Sequence, residues 1–403
     1  MTADILRPET PQHVQEAIRD AAGPMTIEGG GGLSGFGRPN QAEQTLKLDA
    51  LTGVIEYSPS ELYVTFRAGT TLADARAALA EKKQRLPFDP PDLTGLYGKS
   101  GPATIGGVVA AGLSGPPRVA IGAIRDYLIG IHFVDGSGQA MHGGGRVMKN
   151  VTGYDLCKLT AGAFGSLGAI TDATFKVLPI APVEITLALI GLDDVAGQAA
   201  LSAAFRSPFE PMAACHLPGS IAAAMPSAPS NDSVTAFKLE GFAESLAYRK
   251  QAVLAHLPAS AEIIELENDA SQALWAAIRD VAPFAGQADN PLWRISTAPT
   301  EAPGLVSNLK AILGGEAFYD WACGLIWFSL PPGNIEDAGQ AILRAALATA
   351  GGHATLVRAP ESIRAAIDVF EPLASPLHRI TQGLKAEFDP RGLLNPGRMY
   401  AGI

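Results

Sequence analysis

Four consecutive glycines, Gly29 to Gly32, begin a glycine loop that extends through Leu33 and Ser34 to Gly35. Residues 25–28 (MTIE) are partly β-branched, which predicts a strand that runs directly into this loop. Glycine lacks a Cβ atom, so such a run lets the backbone curl tightly and present successive N–H groups to an anion. The loop therefore predicts a binding site for a phosphate or diphosphate group.

The spacing Gly30-x-Gly32-x-x-Gly35 also satisfies the dinucleotide fingerprint of a Rossmann domain, with Asp49 near the position of its ribose-binding acid. That fingerprint must open a helix, however, and the residues after Gly35 include another glycine and a proline, which would interrupt the first turns. We therefore favour a diphosphate-binding loop over a Rossmann domain. A flexible surface loop is the plainer alternative, although this loop carries large apolar side chains.

Composition limits the function classes that the chain can belong to. With 403 residues, 47% of them apolar, it is long enough for two packed domains, and a net charge of −10 argues against a nucleic-acid partner. The three cysteines, Cys157, Cys215 and Cys323, lack the spacing of a zinc or iron–sulfur site. The sequence shows neither a signal-peptide pattern nor an apolar run long enough to span a bilayer, so we expect a cytoplasmic protein.

The texture of the sequence changes after Pro179. Before it, a helix over 10–22 and a strand–helix unit over 61–83 precede a region rich in glycine and threonine. After it, strand-like segments (184–190, 234–239, 261–266, 323–330) alternate with alanine-rich helical segments, which predicts an antiparallel sheet covered by helices. We expect an α+β protein with domains over 1–180 and 181–375 and a C-terminal helix and tail over 376–403.

Two further glycine-rich motifs follow the first loop in order. Residues 103–115 read ATIGGVVAAGLSG, and residues 149–156 (KNVTGYDL) lead to 162–171 (GAFGSLGAIT). With the loop at 29–35, they resemble the PCMH-type FAD-binding domain of the vanillyl-alcohol-oxidase family. That resemblance implies a two-part FAD-binding domain over 1–180, a ferredoxin-like cap domain, and a C-terminal tail (LNPGR, 394–398) that returns to the FAD domain.

Within this family the chain most resembles the FAD-binding E subunit of bacterial glycolate oxidase and, more widely, the D-lactate and D-2-hydroxyglutarate dehydrogenases. The resemblance implies that the first loop and 104–115 contact the diphosphate, ribityl chain and isoalloxazine, and that 162–170 lies near the adenine. The implied FAD-binding residues are Gly29, Gly30, Gly31, Gly32, Leu33, Ser34, Gly35, Pro90, Thr104, Ile105, Gly106, Gly107, Ala111, Gly112, Ser114, Gly115, Arg125, Gly165, Leu167, Gly168, Ile170, Asn395 and Arg398.

Family members with covalent flavin attach it to a histidine in the first loop or a cysteine in the second stretch. Gly31 or Gly32, and Leu113 or Ser114, occupy those places here. The resemblance therefore implies non-covalent FAD.

The substrate side departs from the family pattern. Catalytic subunits carry an HxGDGNxH-like strand that ligates a metal, whereas residues 320–327 (DWACGLIW) lack both histidines and the central acid, so we expect no metal site. They also have an arginine–glutamate pair after Leu-Trp, where this chain reads Leu292-Trp293-Arg294. The weak catalytic candidates, for each of which an ordinary structural role is the alternative, are Arg294, Tyr319, His353, Arg358 and His378.

The resemblance implies an FAD-dependent oxidoreductase subunit of a complex that oxidises glycolate or another small 2-hydroxy acid. A catalytic flavoprotein and an iron–sulfur subunit would be its partners, and any membrane association would come through them. Two alternatives stay open: a non-catalytic assembly or regulatory subunit that retains the flavin fold, and a self-sufficient FAD-dependent 2-hydroxy-acid or alcohol oxidase.

Overall fold

The computed structural model describes residues 4–98, 101–146, 153–257, 261–333 and 336–403. The strands, in chain order, are β1 (Asp4–Leu6), β2 (Met25–Glu28), β3 (Gln44–Lys47), β4 (Val54–Ser58), β5 (Tyr63–Arg67), β6 (Gln84–Arg85), β7 (Leu128–Val134), β8 (Ala140–Gly144), β9 (Ala169–Lys176), β10 (Leu178–Pro179), β11 (Val183–Ile190), β12 (Ala213–Leu217), β13 (Val234–Gly241), β14 (Glu262–Glu267), β15 (Leu292–Ser296), β16 (Glu316–Asp320), β17 (Leu325–Ser329) and β18 (His353–Arg358).

The helices are distributed through both halves of the chain. In order they are α1 (Pro11–Arg19), α2 (Leu72–Ala80), α3 (Ile105–Ala111), α4 (Arg118–Ile121), α5 (Ile124–Tyr127), α6 (Leu156–Thr160), α7 (Asp194–Arg206), α8 (Gly219–Ala223), α9 (Ala243–Leu254), α10 (Asn268–Arg279), α11 (Ala302–Leu313), α12 (Gln340–Ala350), α13 (Glu361–Ala366) and α14 (Ser375–Phe388).

The chain divides into two compact units. Unit 1 comprises residues 1–114, 123–179 and 368–403, and unit 2 comprises residues 115–122 and 180–367. The short segment 115–122 leaves unit 1 at the last residue of the second glycine motif and belongs to unit 2. The assignment of separate roles to residues 1–180, 181–375 and 376–403 stays a prediction.

Unit 1 is built on two sheets. A five-stranded antiparallel sheet has the order β4-β5-β9-β7-β8, and a three-stranded parallel sheet has the order β1-β3-β2. The central strand β9 is buried over nearly its whole length, as its run of small and β-branched residues favours. The glycine loop leaves the end of β2, so the parallel sheet sets its position.

The C-terminal tail is part of unit 1, as the family resemblance implies. The Met25 N–H donates to the Leu393 carbonyl at 2.8 Å, and the Asn395 N–H donates to the Met25 carbonyl at 3.1 Å. On α14, the buried Lys385 ammonium lies 2.6 Å from the Asp389 carboxylate and donates to two backbone carbonyls. The tail thus pairs with β2, directly before the glycine loop.

Unit 2 is an antiparallel sheet with helices. Its eight strands have the order β14-β11-β13-β12-β16-β17-β15-β18, and every neighbouring pair is antiparallel. This confirms the α+β class and the antiparallel second half. Strands β12, β15, β16 and β18 were not foreseen, because short, largely buried strands such as β12 (AACHL) lack the apolar–polar alternation that marks a strand.

One predicted boundary differs for a physical reason. The strand expected over 323–330 begins at Leu325, because Trp321, Ala322 and Cys323 all have positive φ angles of 52°, 53° and 72°. Three successive left-handed residues form a tight turn between β16 and β17 and cannot continue an extended strand.

Candidate functional site

The glycine loop of unit 1 packs against Thr94, Pro102 and Thr104. A Cβ atom added to Gly29 would lie 2.3 Å from Thr104 Oγ1, one on Gly30 would lie 2.2 Å from the Pro102 carbonyl oxygen, and one on Gly32 would lie 2.8 Å from Thr94 Cγ2. Glycine is required at these positions because the loop packs closely against other residues of the same chain. That requirement differs from the direct approach of backbone to a ligand that the sequence suggested.

The same packing leaves a run of backbone donors unused. Within the described ranges, the amides of Gly29 to Leu33 donate to no protein acceptor, although Gly30 and Gly32 are buried. Buried N–H groups are nearly always hydrogen-bonded in native proteins. Five successive unpaired amides in a loop are what a diphosphate needs, so this segment fits the diphosphate of a dinucleotide cofactor.

The start of α3 offers fewer free donors. Thr104 caps the helix, and its Oγ1 accepts from the Gly107 N–H at 3.3 Å. The Ile105 N–H donates to the Thr70 carbonyl at 2.9 Å, and the Gly106 N–H donates to the Ala68 carbonyl at 2.7 Å. The second glycine motif therefore contributes the shape of its backbone more than its hydrogen-bond donors.

A narrow cavity of unit 1 lies beside the glycine loop, with an empty volume of about 390 Å³ that includes its open mouth. Six residues predicted from the sequence line it, namely Gly29, Gly106, Gly107, Gly165, Gly168 and Ile170. Sequence reasoning missed the six others, which are Ile27, Glu28, Leu48, Ala68, Ala110 and Phe164. Ala110 and Phe164 lie within the second and third motifs, whereas Ile27, Glu28, Leu48 and Ala68 belong to no motif, so no sequence signal marks those four.

The remaining predicted FAD-binding residues are dispersed. Pro90 is buried and its carbonyl accepts from Arg76 at 2.6 Å, Arg125 is exposed on α5, and Ser114 Oγ accepts the Ile124 N–H at 2.9 Å. Gly115 belongs to unit 2. Residues 149–152 of the third motif lie outside the described residues. Contact of any predicted residue with FAD stays a prediction.

The two predicted tail residues hold the glycine loop through protein contacts. Asn395 Oδ1 accepts the Ile27 N–H at 2.8 Å, and its Nδ2 donates to the Phe164 carbonyl at 2.7 Å. The Arg398 guanidinium donates to the carbonyls of Leu33 and Ser34, both at 3.1 Å. These side chains fix the outer side of the loop whose amides are unpaired.

The five catalytic candidates are divided between the two units. His378 lies on α14 of unit 1, whereas the other four belong to unit 2. Arg358 is buried and donates to the carbonyls of Asn290 and Phe284 at 2.8 and 2.7 Å, which is a structural role. His353 is exposed at the start of β18.

Tyr319 belongs to a buried polar network in unit 2. Its hydroxyl donates to Asp194, whose other carboxylate oxygen lies 3.1 Å from Nε2 of the fully buried His216. Burial, reinforced by Asp194, raises the pKa of Tyr319 far above its usual value. Burial also raises the pKa of Asp194, but the hydrogen bonds from His216 and Tyr319 outweigh it and lower the net pKa. The network ties α7 to β12 and β16.

Arg294 lies on β15, and its guanidinium is 4.9 Å from the centre of the Trp321 ring. Burial and the neighbouring Arg118 lower its pKa to about 10. Next to the ring, Asp320 is 2% exposed, and burial raises its pKa to about 7 against the opposing effect of Arg294. Sequence reasoning did not single out Arg118, Asp320 or Trp321.

Two further searches covered the described residues. None of the His, Cys, Asp and Glu side chains there form a group of three or more that could hold a metal ion. In the same part of the chain, every helix is too short or too polar to cross a membrane.

Comparison with known proteins agrees with the fold. The model of the FAD binding domain family matches residues 3–144. The solved structure of p-cresol methylhydroxylase with substrate bound superposes with a TM-score of 0.73 at 16% identity, covering 98% of this chain and 88% of that one. Fold and family model together define an FAD-binding flavoprotein with the PCMH-type architecture.

Named relatives identify a narrower family within the FAD-binding flavoproteins. Glycolate oxidase subunit GlcE of Escherichia coli is 34% identical over 395 residues, which are 97% of each chain. Glycolate oxidase subunit GlcD of Bacillus subtilis is 30% identical over 165 residues, which are 41% of this chain and 34% of that one. This chain belongs to the GlcE family of FAD-linked oxidoreductase subunits.

Proposed function

We propose that unit 1 holds FAD without a covalent bond, and that the chain is the FAD-binding subunit of a glycolate-oxidase-like complex that oxidises a small 2-hydroxy acid, glycolate above all. When bound, FAD supplies the acceptor for the hydride that leaves the substrate carbon. The observation that carries the proposal is the run of five unpaired amides, Gly29 to Leu33, beside a cavity lined by glycines.

Different residues of unit 1 would bind different parts of the cofactor. The amides of Gly29 to Leu33 would bind the diphosphate, because successive N–H groups are directed donors for an anion. Gly106, Gly107 and Gly168 would leave room for the flat and extended parts of the molecule. Asn395 would keep the loop in register by holding Ile27.

Non-covalent binding is supported by the chemistry of the lining. None of the described residues that line the cavity is a cysteine, histidine or tyrosine, the side chains that could form a covalent bond to flavin. Cys157 of unit 1 is buried, and burial raises the pKa of its thiol to about 11, which leaves it unreactive at neutral pH. We therefore expect acid to release all of the flavin.

The partners follow from the subunit names of the relatives and from what the chain contains. Two relatives are both called glycolate oxidase subunits. Three cysteines are one too few for an iron–sulfur cluster held by four thiolates. We therefore propose a catalytic flavoprotein partner and an iron–sulfur partner that passes electrons onward, with the chain cytoplasmic and any membrane contact made by those partners.

One observation favours a second function. Tyr319 and Arg358 use their polar groups on other protein groups, and His353 is exposed at the start of β18. A non-catalytic assembly subunit that keeps its flavin for stability would show this pattern.

The test of cofactor binding is the visible absorption spectrum of the purified chain before and after acid precipitation, with a matched pair of variants. Gly107→Asp adds a Cβ that would lie 3.3 Å from Thr104 Oγ1, which needs a shift of a few tenths of an ångström there, and its carboxylate enters the cavity. Gly304→Asp on α11 has open space within 4 Å and is the control. We expect flavin in wild type and control, and almost none in Gly107→Asp.

Full flavin content in a folded Gly107→Asp variant would refute the assigned cavity. For catalysis, glycolate is added to the flavin-loaded chain without oxygen, alone and with its partner subunits. Bleaching of the flavin in this chain supports the oxidoreductase role. Bleaching that occurs only in the partner's flavin supports the assembly role.

A further inference from the structure

Two histidines lie side by side on the five-stranded sheet of unit 1. His132 on β7 and His142 on β8 are paired directly in register, so their side chains leave the sheet on the same face, with Cβ atoms about 4.5–5.5 Å apart. Both residues are exposed, and their ring centres are 6.1 Å apart with the ring planes inclined by 25°. The backbone pairing of two strands therefore holds two imidazoles next to each other.

Neither ring is bonded to another protein group. Within the described part of the chain, the nitrogens of both rings make no hydrogen bond and no ion pair. By contrast, His216 of unit 2 is fully buried and uses both of its ring nitrogens, on Thr235 and Asp194. The nitrogen lone pairs of His132 and His142 are therefore available to a ligand.

The charges beside the histidine pair are balanced. Asp172 on β9 is the in-register neighbour of His132, and Arg67 on β5 is the in-register neighbour of Asp172. The Asp172 carboxylate accepts hydrogen bonds from Arg67 at 2.7 Å and from the Thr171 hydroxyl at 3.1 Å. Because this ion pair cancels the charge of Arg67, a dication at the histidines would not face an uncompensated positive charge on that side.

The position of β8 leaves the pair open to solvent. This strand ends the order of the sheet, so among the described strands none pairs with its outer side. Ala140, which lies two residues before His142 on the same face, adds only a methyl group. Water molecules can therefore reach an ion at the histidines and complete its coordination, as they do in open metal sites.

The spacing of the rings suits one metal ion. A metal bonded to an imidazole nitrogen at about 2.0–2.1 Å lies about 3 Å from the ring centre. Two rings with centres 6.1 Å apart can therefore share an ion once each has turned about its Cβ–Cγ bond, a torsion that is broad for histidine. Imidazole ligands select late first-row divalent ions, whereas Mg²⁺ and Ca²⁺ prefer oxygen.

We propose that His132 and His142 bind one late first-row divalent ion, Cu²⁺ or Zn²⁺, through one nitrogen of each ring, with water at the remaining positions. Neither histidine lines the cavity beside the glycine loop, so the binding needs no flavin. The three cysteines of the chain are buried, and their thiols do not compete for the ion. An ion that joins β7 to β8 stabilises the folded state, because the unfolded chain does not hold the two rings together.

The test is calorimetric titration of the untagged full chain with copper, zinc and magnesium chloride in a buffer that does not chelate metals. We expect one Cu²⁺ or Zn²⁺ per chain, tighter binding of Cu²⁺, and no saturable binding of Mg²⁺. His132→Gln and His142→Gln should each weaken Cu²⁺ binding at least about tenfold, because one of two protein–metal bonds is lost. His13→Gln, at an exposed histidine of α1 in the same unit, is the matched control and should leave the affinity unchanged.

Electron paramagnetic resonance of the copper-loaded chain provides a signature that a purely structural role of the histidines would not give. The nitrogen couplings should show two imidazoles in wild type and in His13→Gln, and one in either of the other variants. Copper should also raise the Tm of wild type and leave the Tm of those two variants unchanged. Both variants should keep the circular dichroism spectrum of wild type, since both positions are exposed.

Equal Cu²⁺ affinity in wild type and in both folded variants would overturn the proposal, because the ion would then bind elsewhere. A wild-type copper signal with only one imidazole would also overturn it. Flavin content, measured from the visible spectrum of the same samples, reports on the cofactor site separately. A failure of the metal site therefore leaves the proposed function standing, and a colourless chain that binds copper leaves the metal site standing.

Discussion

The glycine loop of unit 1 and the tight turn of unit 2 achieve unusual backbone geometry by opposite means. In the loop, Gly29, Gly30 and Gly32 lack the Cβ atoms that would strike the facing segment, and the amides stay unpaired. In the turn over Trp321–Cys323, ordinary residues are forced into left-handed conformations by hydrogen bonds at both ends. Among the described residues, the loop leaves its backbone amides unpaired, whereas the turn positions side chains.

This difference between the loop and the turn explains which kinds of site leave a recognisable motif in the sequence. A ligand that is bound by backbone leaves glycines in the sequence, since no other residue allows the approach. A ligand that is bound by side chains from separate elements leaves single residues scattered along the chain, and these resemble surface residues until the chain folds.

The strongest test of the loop is Gly30→Ala. The new methyl carbon would lie 2.2 Å from the Pro102 carbonyl oxygen, so one of two backbone segments must move. We expect loss of most bound flavin and a fall of about 2–4 kcal/mol in the free energy of unfolding. Flavin stoichiometry and urea unfolding measure both effects.

Gly304→Ala on α11 is the control for that change, since nothing lies within 4 Å of its Cβ. It should stabilise the protein by about 0.5–1 kcal/mol, because alanine is the better helix former. If Gly30→Ala behaves like this control, the close packing of the loop is wrong.

The second prediction concerns the tail that supports the loop. Asn395→Ala removes the acceptor of the Ile27 N–H and the donor to the Phe164 carbonyl. Because both partners are partly buried, we expect a loss of about 1–3 kcal/mol in stability and weaker retention of FAD, measured by flavin titration.

Asn308 is the matched control for Asn395, since it is exposed on α11. Asn308→Ala should leave flavin affinity unchanged and stabilise the protein by at most about 0.7 kcal/mol, because alanine is the better helix former. Unaltered FAD affinity in Asn395→Ala would show that the loop keeps its shape without the tail.

The third prediction tests the turn through pH. Because burial raises the pKa of Asp320 to about 7 from the usual 3.8, the folded state binds a proton that the unfolded state has released. The free energy of unfolding should therefore fall as pH rises from about 4 to about 7, by at most about 1.4 kcal/mol per pH unit. Unfolding curves of wild type and Asp320→Asn across this range measure it.

Asp320→Asn should remove this dependence of stability on pH. Arg294 is the charged side chain that opposes the rise in the pKa of Asp320. Cys215 and Cys323 also face Asp320, but their thiol pKa values lie well above this range, so they do not titrate in it. A wild-type slope that persists unchanged in Asp320→Asn would assign it to other groups.

The smallest expected effect completes the comparison. Ala322 has a φ of 53°, which glycine adopts without strain, so Ala322→Gly should be neutral or stabilising by up to about 1 kcal/mol. Thermal unfolding would show it. A clear destabilisation would mean that the turn is not strained, and that its contrast with the glycine loop is false.

The sequence by itself determined the α+β class, the glycine loop after β2, the antiparallel second half and membership in a flavoprotein family. These properties are local, because glycine runs, β-branched segments and the texture change after Pro179 act over a few neighbouring residues. Six of the twelve residues that line the cavity were predicted for the same reason, because they lie in local glycine motifs.

Only the tertiary structure decided the rest. It showed that the loop glycines pack against Thr94, Pro102 and Thr104, and that segment 115–122 joins unit 2. It also showed that Arg118, Arg294 and Asp320 gather around one indole. These contacts join residues that are tens to hundreds of positions apart. Their energies depend on burial and on the charge of neighbours, and neither exists until the chain has folded.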